Sequence, residues 1–264
     1  MLNVIIGQYY PGESIIHKMD PRSKLVAVFW FILAIFIAAN WLGYGLIATF
    51  LILAMLSAKI PIRFIYRGLK PVLVVLLITF ILNVLTTHQG HVLFKWKGLE
   101  LTSGGLNYAL FITIRLLAIV IISTLLTLTT KPIELTDGLE ILLSPLKKLR
   151  VPVHELALMM SISLRFIPTL FEETEKVMKA QSARGATFTS GSFIKRIKAV
   201  IPLLIPLLIS AFRRAEDLAM AMEARGYRGD FGRTRLRDLV WGKRDSMLLF
   251  MVLGLAVGLV LTRF

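Results

Sequence analysis

The sequence predicts an all-α integral membrane protein with about five transmembrane helices and long amphipathic cytoplasmic helices. Three observations carry this expectation. The 264 residues are 56% hydrophobic, with a mean hydropathy of +0.74, well above an ordinary soluble domain. Several uncharged stretches approach the ~20 residues that cross a bilayer. The formal net charge is +15, and most of the positive charge flanks those stretches, as the positive-inside rule expects. That placement also argues against nucleic-acid binding, which needs a free basic patch.

Residues 1–24 are a polar lead-in ending HKMDPRSKL. No basic segment precedes an apolar core there, so no cleaved signal peptide is expected. Asp20-Pro21 suits a helix start, with Asp as N-cap and Pro at the first helical position. Lys18, Arg22 and Lys24 put this end in the cytoplasm. Residues 25–41 are uncharged and long enough to span. The turn NWLGY brings an aromatic pair to the outer interface, and a second span, roughly 44–58, returns. The loop KIPIRFIYRGLK holds Lys59, Arg63, Arg67 and Lys70 and no acid, which marks it as cytoplasmic. A third span covers roughly 71–86, the polar segment 87–104 is external by parity, and a fourth span covers roughly 105–128. Residues 1–130 are thus expected to form a membrane domain with four spans.

From 131 to 246 the chemistry changes, with 20 Lys/Arg and 13 Asp/Glu and no uninterrupted apolar run of spanning length. This stretch is expected to be a cytoplasmic or interfacial helical domain of three pieces. The first is amphipathic and stops near Pro145. The second runs from Pro152 to Arg184, with Pro168 inside it and Glu172–Lys176 and Glu175–Lys179 at the spacing of favourable i,i+4 pairs. The third opens with AVIPLLIPLLISAF, whose prolines suggest a bend lying against the membrane, and continues as RRAEDLAMAMEAR. Phe212, Ala215, Ala219 and Met222 form one stripe of that helix, a pattern expected of internal packing. Residues 247–264 make a fifth, short span that would leave its carboxyl end outside.

One motif occurs twice. Ala183-Arg184-Gly185 and Ala224-Arg225-Gly226 lie 41 residues apart, and the same offset places Phe171 on Phe212, Glu175 on Glu216 and Ala180 on Ala221. Each triplet ends a helical pattern. Glycine just past a helix end takes left-handed φ without a Cβ clash, and arginine in the last turn faces the negative end of the helix dipole. A single such triplet is an ordinary helix stop. Two of them, each with a guanidinium beside small residues, suggest a pair of equivalent contacts on a partner, since the five-donor fork suits a carboxylate or carbonyl groups.

In this order, HKMDPRSKL, SISLRFIPTLFEE, RRAEDLAMAMEARGY and the two Ala-Arg-Gly triplets resemble the transmembrane T component of energy-coupling factor transporters, the vitamin and micronutrient importers of the ABC class. The likeness covers nearly the whole chain. The IIGQYYPGES start is similar to the version shared among several substrate-binding subunits, more than to dedicated cobalt or biotin versions. The resemblance implies a scaffold that joins two cytoplasmic ABC ATPase subunits to one small membrane substrate-binding S component in the bacterial cell membrane. It implies that Ala183, Arg184, Gly185, Ala224, Arg225 and Gly226 dock the ATPases, one motif on each. It implies that ATP-driven closure moves the coupling helices, and that this motion reaches the S component. Apolar faces of the helices between 132 and 211 are its candidate contact.

Other signals are weaker. No G-x-x-x-x-G-K-[ST] occurs, so no P-loop can be built and ATP is expected on another chain. No cysteine is present, and no catalytic group, metal site or cofactor is expected. His154-Glu155 begins like a zinc-protease helix, but position 158 is leucine. His88 and His91 lack a third ligand. Glu172, Glu173 and Glu175 are expected on a solvated face. Arg115 lies within the fourth span, where a charge is a functional candidate; Asn83 is its candidate partner, and structural packing is favoured over transport. A self-contained secondary transporter, the alternative, would need ionisable groups on several spans, and only Arg115 qualifies.

Overall fold

The computed structural model describes residues 9–87, 91–96, 99–186, 193–229 and 239–263. The chain divides into two compact units. One comprises residues 1–142 with 239–264, and the other residues 143–238.

The first unit holds α1 (Pro21–Ile37), α2 (Trp41–Ala58), α3 (Ile62–Thr86), α4 (Ser103–Thr129), α5 (Pro132–Leu143) and α8 (Lys243–Leu261). Asp20 starts α1 as its Asp-Pro pair predicts, its carboxylate accepting from the Arg22 amide at 2.8 Å. A short antiparallel hairpin, β1 (Val92–Trp96) with β2 (Leu99–Thr102), joins α3 to α4. The polarity of 87–104 hid this hairpin, although its Val, Leu, Phe and Trp residues favour extended chain. α5 carries enough charge to group it with the polar middle of the sequence, yet Gly138 brings its backbone against Pro21, where an added Cβ would lie 3.2 Å from the proline Cβ.

Interlocking contacts at both ends set the sense of each helix. At one end Asp20 and Ser23 of α1 meet Asp245 of α8, and Lys24 of α1 meets Thr129 and Thr130 beyond α4. At the other end Asn40 donates to the Thr262 carbonyl at 2.9 Å and Arg115 of α4 donates to the Ala38 carbonyl. Hence α1 and α8 run parallel and α4 runs against them. Phe31, Ile35, Ile47, Val252 and Leu259 fill the space between, with Phe31 stacked on Phe50 at 5.1 Å. Gly68 lets α3 approach α4, since a Cβ there would stand 2.8 Å from the Thr124 methyl.

Five described helices are long and apolar enough to cross a membrane: α2, α3, α4, α6 (Val153–Ala183) and α8. The number matches expectation, but the membership differs in two places. α1 covers Pro21–Ile37 rather than the expected 25–41, starting earlier at Asp20-Pro21 and ending where Ala38 turns to extended backbone; at about 25 Å it sits at the short end of what spans. α6 was expected outside the bilayer. Its first half is apolar enough to qualify, with the lowest mean hydropathy of the five at 1.2.

The second unit holds a 3₁₀ turn (Ser144–Leu149), α6 and α7 (Phe193–Ala224). The first helical piece does stop at Pro145, which opens that turn. α7 continues unbroken through Pro202 and Pro206.

Asp245 is 3% exposed and accepts from the Asp20 amide (2.8 Å), the Ser23 hydroxyl (2.6 Å) and the Gly242 amide (2.8 Å). Replacing it by alanine strands the buried Asp20 amide and the half-buried Gly242 amide, while the Ser23 hydroxyl keeps the Asp20 carbonyl. Asp245→Ala is expected to cost about 3 kcal/mol, since each orphaned donor costs about 1–3. The thermal midpoint of the purified protein should fall by several degrees, with Asp245→Asn between it and the wild type.

Candidate functional site

The two Ala-Arg-Gly triplets build the same structure twice. Arg184 follows the last residue of α6, and Gly185 takes φ +88°. The Gly185 amide donates to the Ser182 carbonyl at 3.0 Å and the Ala186 amide to the Gln181 carbonyl at 3.0 Å. At the end of α7, Gly226 takes φ +72°. Its amide donates to the Glu223 carbonyl at 2.9 Å and the Tyr227 amide to the Met222 carbonyl at 3.0 Å. Both are Schellman caps, with paired 6→1 and 5→2 hydrogen bonds. An added Cβ on either glycine would touch nothing within 4 Å. Glycine is therefore required for its left-handed backbone and not for space.

The caps leave the arginines outward. Arg184 and Arg225 are exposed, and among the described residues neither guanidinium has a hydrogen-bond or ion-pair partner. Ala183 and Ala224, also exposed, add no bulk around them. Each tip thus presents a five-donor cation on a rigid helix end.

An ion pair relates the two helices. Arg214 Nη2 donates to Glu173 Oε2 at 2.7 Å, with both side chains partly shielded. These residues are also 41 apart, the period of the repeat, so equivalent positions of the two helices meet. Each lies 11 residues before its own tip arginine, an arm of about 16 Å. Beyond the ion pair, Leu218 and Met222 of α7 line a cavity with Ile162 and Phe166 of α6. The carboxyl half of α7 therefore follows the amino half of α6, so the helices cross in opposite sense and their tips point away from each other.

Other expected features fall out differently. Ala215, Ala219 and Met222 line the cavity as a packed stripe should, but Phe212 is 63% exposed and does not join them. Of the two expected i,i+4 pairs, Glu175–Lys179 is formed at 2.9 Å. Glu173, expected on a solvated face, instead ties α6 to α7. Asn83 is not Arg115's partner, since its amide donates to the Thr79 carbonyl of its own helix at 2.8 Å. Arg115 instead contacts the Ala38 carbonyl (3.3 Å), the Tyr44 hydroxyl (3.2 Å) and the Phe36 ring (5.3 Å). His88 lies outside the described residues.

Comparison with known proteins points one way. The family model described as cobalt transport protein, CbiQ, matches residues 12–236. The energy-coupling factor transporter transmembrane protein EcfT of Bacillus subtilis (strain 168) is 52% identical over 263 residues, covering 100% of this chain and 99% of the relative. The protein of the same name from Listeria innocua is 54% identical over 249 residues, covering 94% of each chain. That of Lactococcus lactis is 49% identical over 261 residues, covering 99% and 98%. The chain belongs to the energy-coupling factor transporter transmembrane family. It is accordingly a multi-pass protein of the cell membrane and the transmembrane component of such a transporter. Within that family frame, the repeated tips are the feature that nothing in a spanning helix requires.

Left-handed φ costs a non-glycine residue about 1–2 kcal/mol. Gly185→Val and Gly226→Val are expected to fray their tips by that amount. Amide hydrogen exchange should speed up at Ala186 or Tyr227, the 6→1 donors, while amides of α1 and α8 keep their protection.

Proposed function

We propose that this chain is the scaffold and coupling subunit of an ATP-driven vitamin importer. It links two cytoplasmic ABC ATPases to one membrane substrate-binding S component, and it carries no catalytic group of its own. Arg184 and Arg225, with Ala183, Gly185, Ala224 and Gly226, dock the ATPases, one tip to each. The reading rests on one observation above all, the duplicated Schellman-capped tip with an outward guanidinium. Its support is physical. A charged fork without a partner among the described residues is available to a carboxylate or to helix-end carbonyls on another protein. Tips pointing away from each other suit two separate sockets better than one.

The proposed mechanism follows from the crossing. ATP binding closes the ATPase pair and carries the two tips with it. Each arm of about 16 Å is a continuous helix, so a displacement at a tip is transmitted to the Glu173–Arg214 crossing without being absorbed by a loop. The exposed apolar residues on α6 and α7, such as Met159, Leu204 and Leu208, are the surface offered to the S component, which responds by releasing its vitamin to the cytoplasm. In this arrangement the lead-in before α1 and the start of α8 face the cytoplasm, and the end of α8 faces outside. The basic residues Lys59, Arg63, Arg67 and Lys70 on the cytoplasmic side fit that orientation.

Arg184→Ala and Arg225→Ala test the docking role. Loss of a buried charged anchor costs an interface on the order of 2–5 kcal/mol. Each variant is expected to retain less ATPase on co-purification and to lower vitamin uptake, and the double variant to abolish uptake, with membrane insertion unchanged. Wild-type assembly and uptake in the double variant would refute the proposal.

A further inference from the structure

Arg115 stands in a cavity of about 260 Å³ whose wall also includes Arg263, Tyr108, Phe36, Tyr44 and Phe111. Two observations make this more than helix packing. Arg115 spends one terminal nitrogen on the Ala38 carbonyl and the Tyr44 hydroxyl, while its Nε is buried and has no hydrogen-bond partner. A buried donor left unmatched is costly unless something else fills the site. Arg263 lies in the wall exposed, and among the described residues no carboxylate side chain lines the cavity. Two cations therefore face one space, and no described residue of its walls supplies a counter-charge.

The depth of the cavity identifies what reaches it. Arg115 and Thr129 are 14 residues apart on α4, about 21 Å of helix. Thr129 is level with the start of α1 through Lys24, and Arg115 is level with its end through Ala38. The α1 side of the cavity is therefore shorter than the ~30 Å hydrocarbon thickness, a mismatch that local thinning of the bilayer accommodates. Thinning draws lipid headgroups down to the two arginines. Beside the cavity, Phe36 and Tyr108 are 59% and 52% exposed and offer acyl chains an apolar surface.

We propose that this cavity binds the phosphate group of an anionic phospholipid, held by Arg115 and Arg263 as a charge-assisted, forked contact. The Arg115 Nε supplies a donor, and the lipid chains lie along Phe36 and Tyr108. Bound there, the lipid closes the seam where the α1–α2 turn, the middle of α4 and the end of α8 come together. Free phosphate shares the recognition chemistry but would meet largely apolar walls without chains to cover them.

The test uses the full chain co-purified with its partner subunits and stripped of lipid by detergent exchange. Phosphatidylglycerol, phosphatidylcholine and inorganic phosphate are titrated separately, and binding is read by native mass spectrometry. Phosphatidylglycerol is expected to bind once per chain with high affinity, and to bind roughly tenfold or more weakly to Arg263→Gln, the loss of one charge-assisted contact. Arg115→Gln should weaken binding further, its fold checked by thermal midpoint in phosphatidylcholine. Displacement of phosphatidylglycerol by millimolar inorganic phosphate would assign the site to free anion and overturn the lipid source. Equal binding of phosphatidylglycerol to wild type and Arg263→Gln, or equal binding of phosphatidylglycerol and phosphatidylcholine to wild type, would overturn the site itself.

Discussion

Every α-helix ends with backbone groups that have no partner in the helix, and away from water each must find one. That constraint organises both units of this chain, with opposite solutions. In the membrane unit the ends are satisfied by side chains from other helices. Asp245 accepts from α1 and from the start of its own helix. Lys24, 4% exposed, donates to the Thr129 carbonyl at the end of α4. Arg115 donates to the Ala38 carbonyl at the end of α1, and Asn40 to the Thr262 carbonyl beyond α8. Each polar side chain completes one helix by belonging to another, so the caps also fix which helices are neighbours. In the second unit the two tips are completed by their own backbone. The Schellman bonds consume the last carbonyls and leave Arg184 and Arg225 outside.

This contrast explains why one chain holds two kinds of arginine. Arg22 and one terminal nitrogen of Arg115 hold the membrane unit together, and Arg22 also bridges Asp20 at 2.9 Å and reaches the Leu239 carbonyl at 2.6 Å. Arg184 and Arg225 have no hydrogen-bond or ion-pair partner among the described residues of the unit that carries them. The capped backbone beneath each arginine is already fixed, so binding there orders only the side chain, which favours its use as an anchor for another protein. The Glu173–Arg214 pair has a third role. It joins the helices at equivalent points of the repeat, so both tips sit at equal distances from the crossing.

Much of this was legible in the residues. Four of the five spans, α2, α3, α4 and α8, followed from hydropathy, the start of α1 from Asp20-Pro21, and the helix ends from Gly185 and Gly226, because each reflects local chemistry. The roles of Lys24 and Arg22 were not legible. Both counted as positive-inside charges, and only long-range contacts with Thr129 and Leu239 reveal them as structural. Asn83 was a poor guess for Arg115 because an asparagine in a helix finds the carbonyl four residues back. The crossing pair was visible in principle, since the same 41-residue offset that aligned Glu175 with Glu216 also aligns Glu173 with Arg214. Opposite charges at repeat-equivalent positions signal that the two copies meet.

The central claim is that the two tips enter two ATPase subunits. The chain contains no cysteine, so a single introduced thiol reports one position. Ser182→Cys and Glu223→Cys are exposed and equivalent in the repeat, and Thr49→Cys is an exposed control on α2. Each variant, carrying a short thiol-linked photocrosslinker, would be irradiated in membranes of cells expressing the whole transporter. Crosslinks from both tip positions to ATPase subunits, with none from position 49, are the predicted result. Absence of an ATPase crosslink from either tip, in cells that still take up vitamin, would contradict the account.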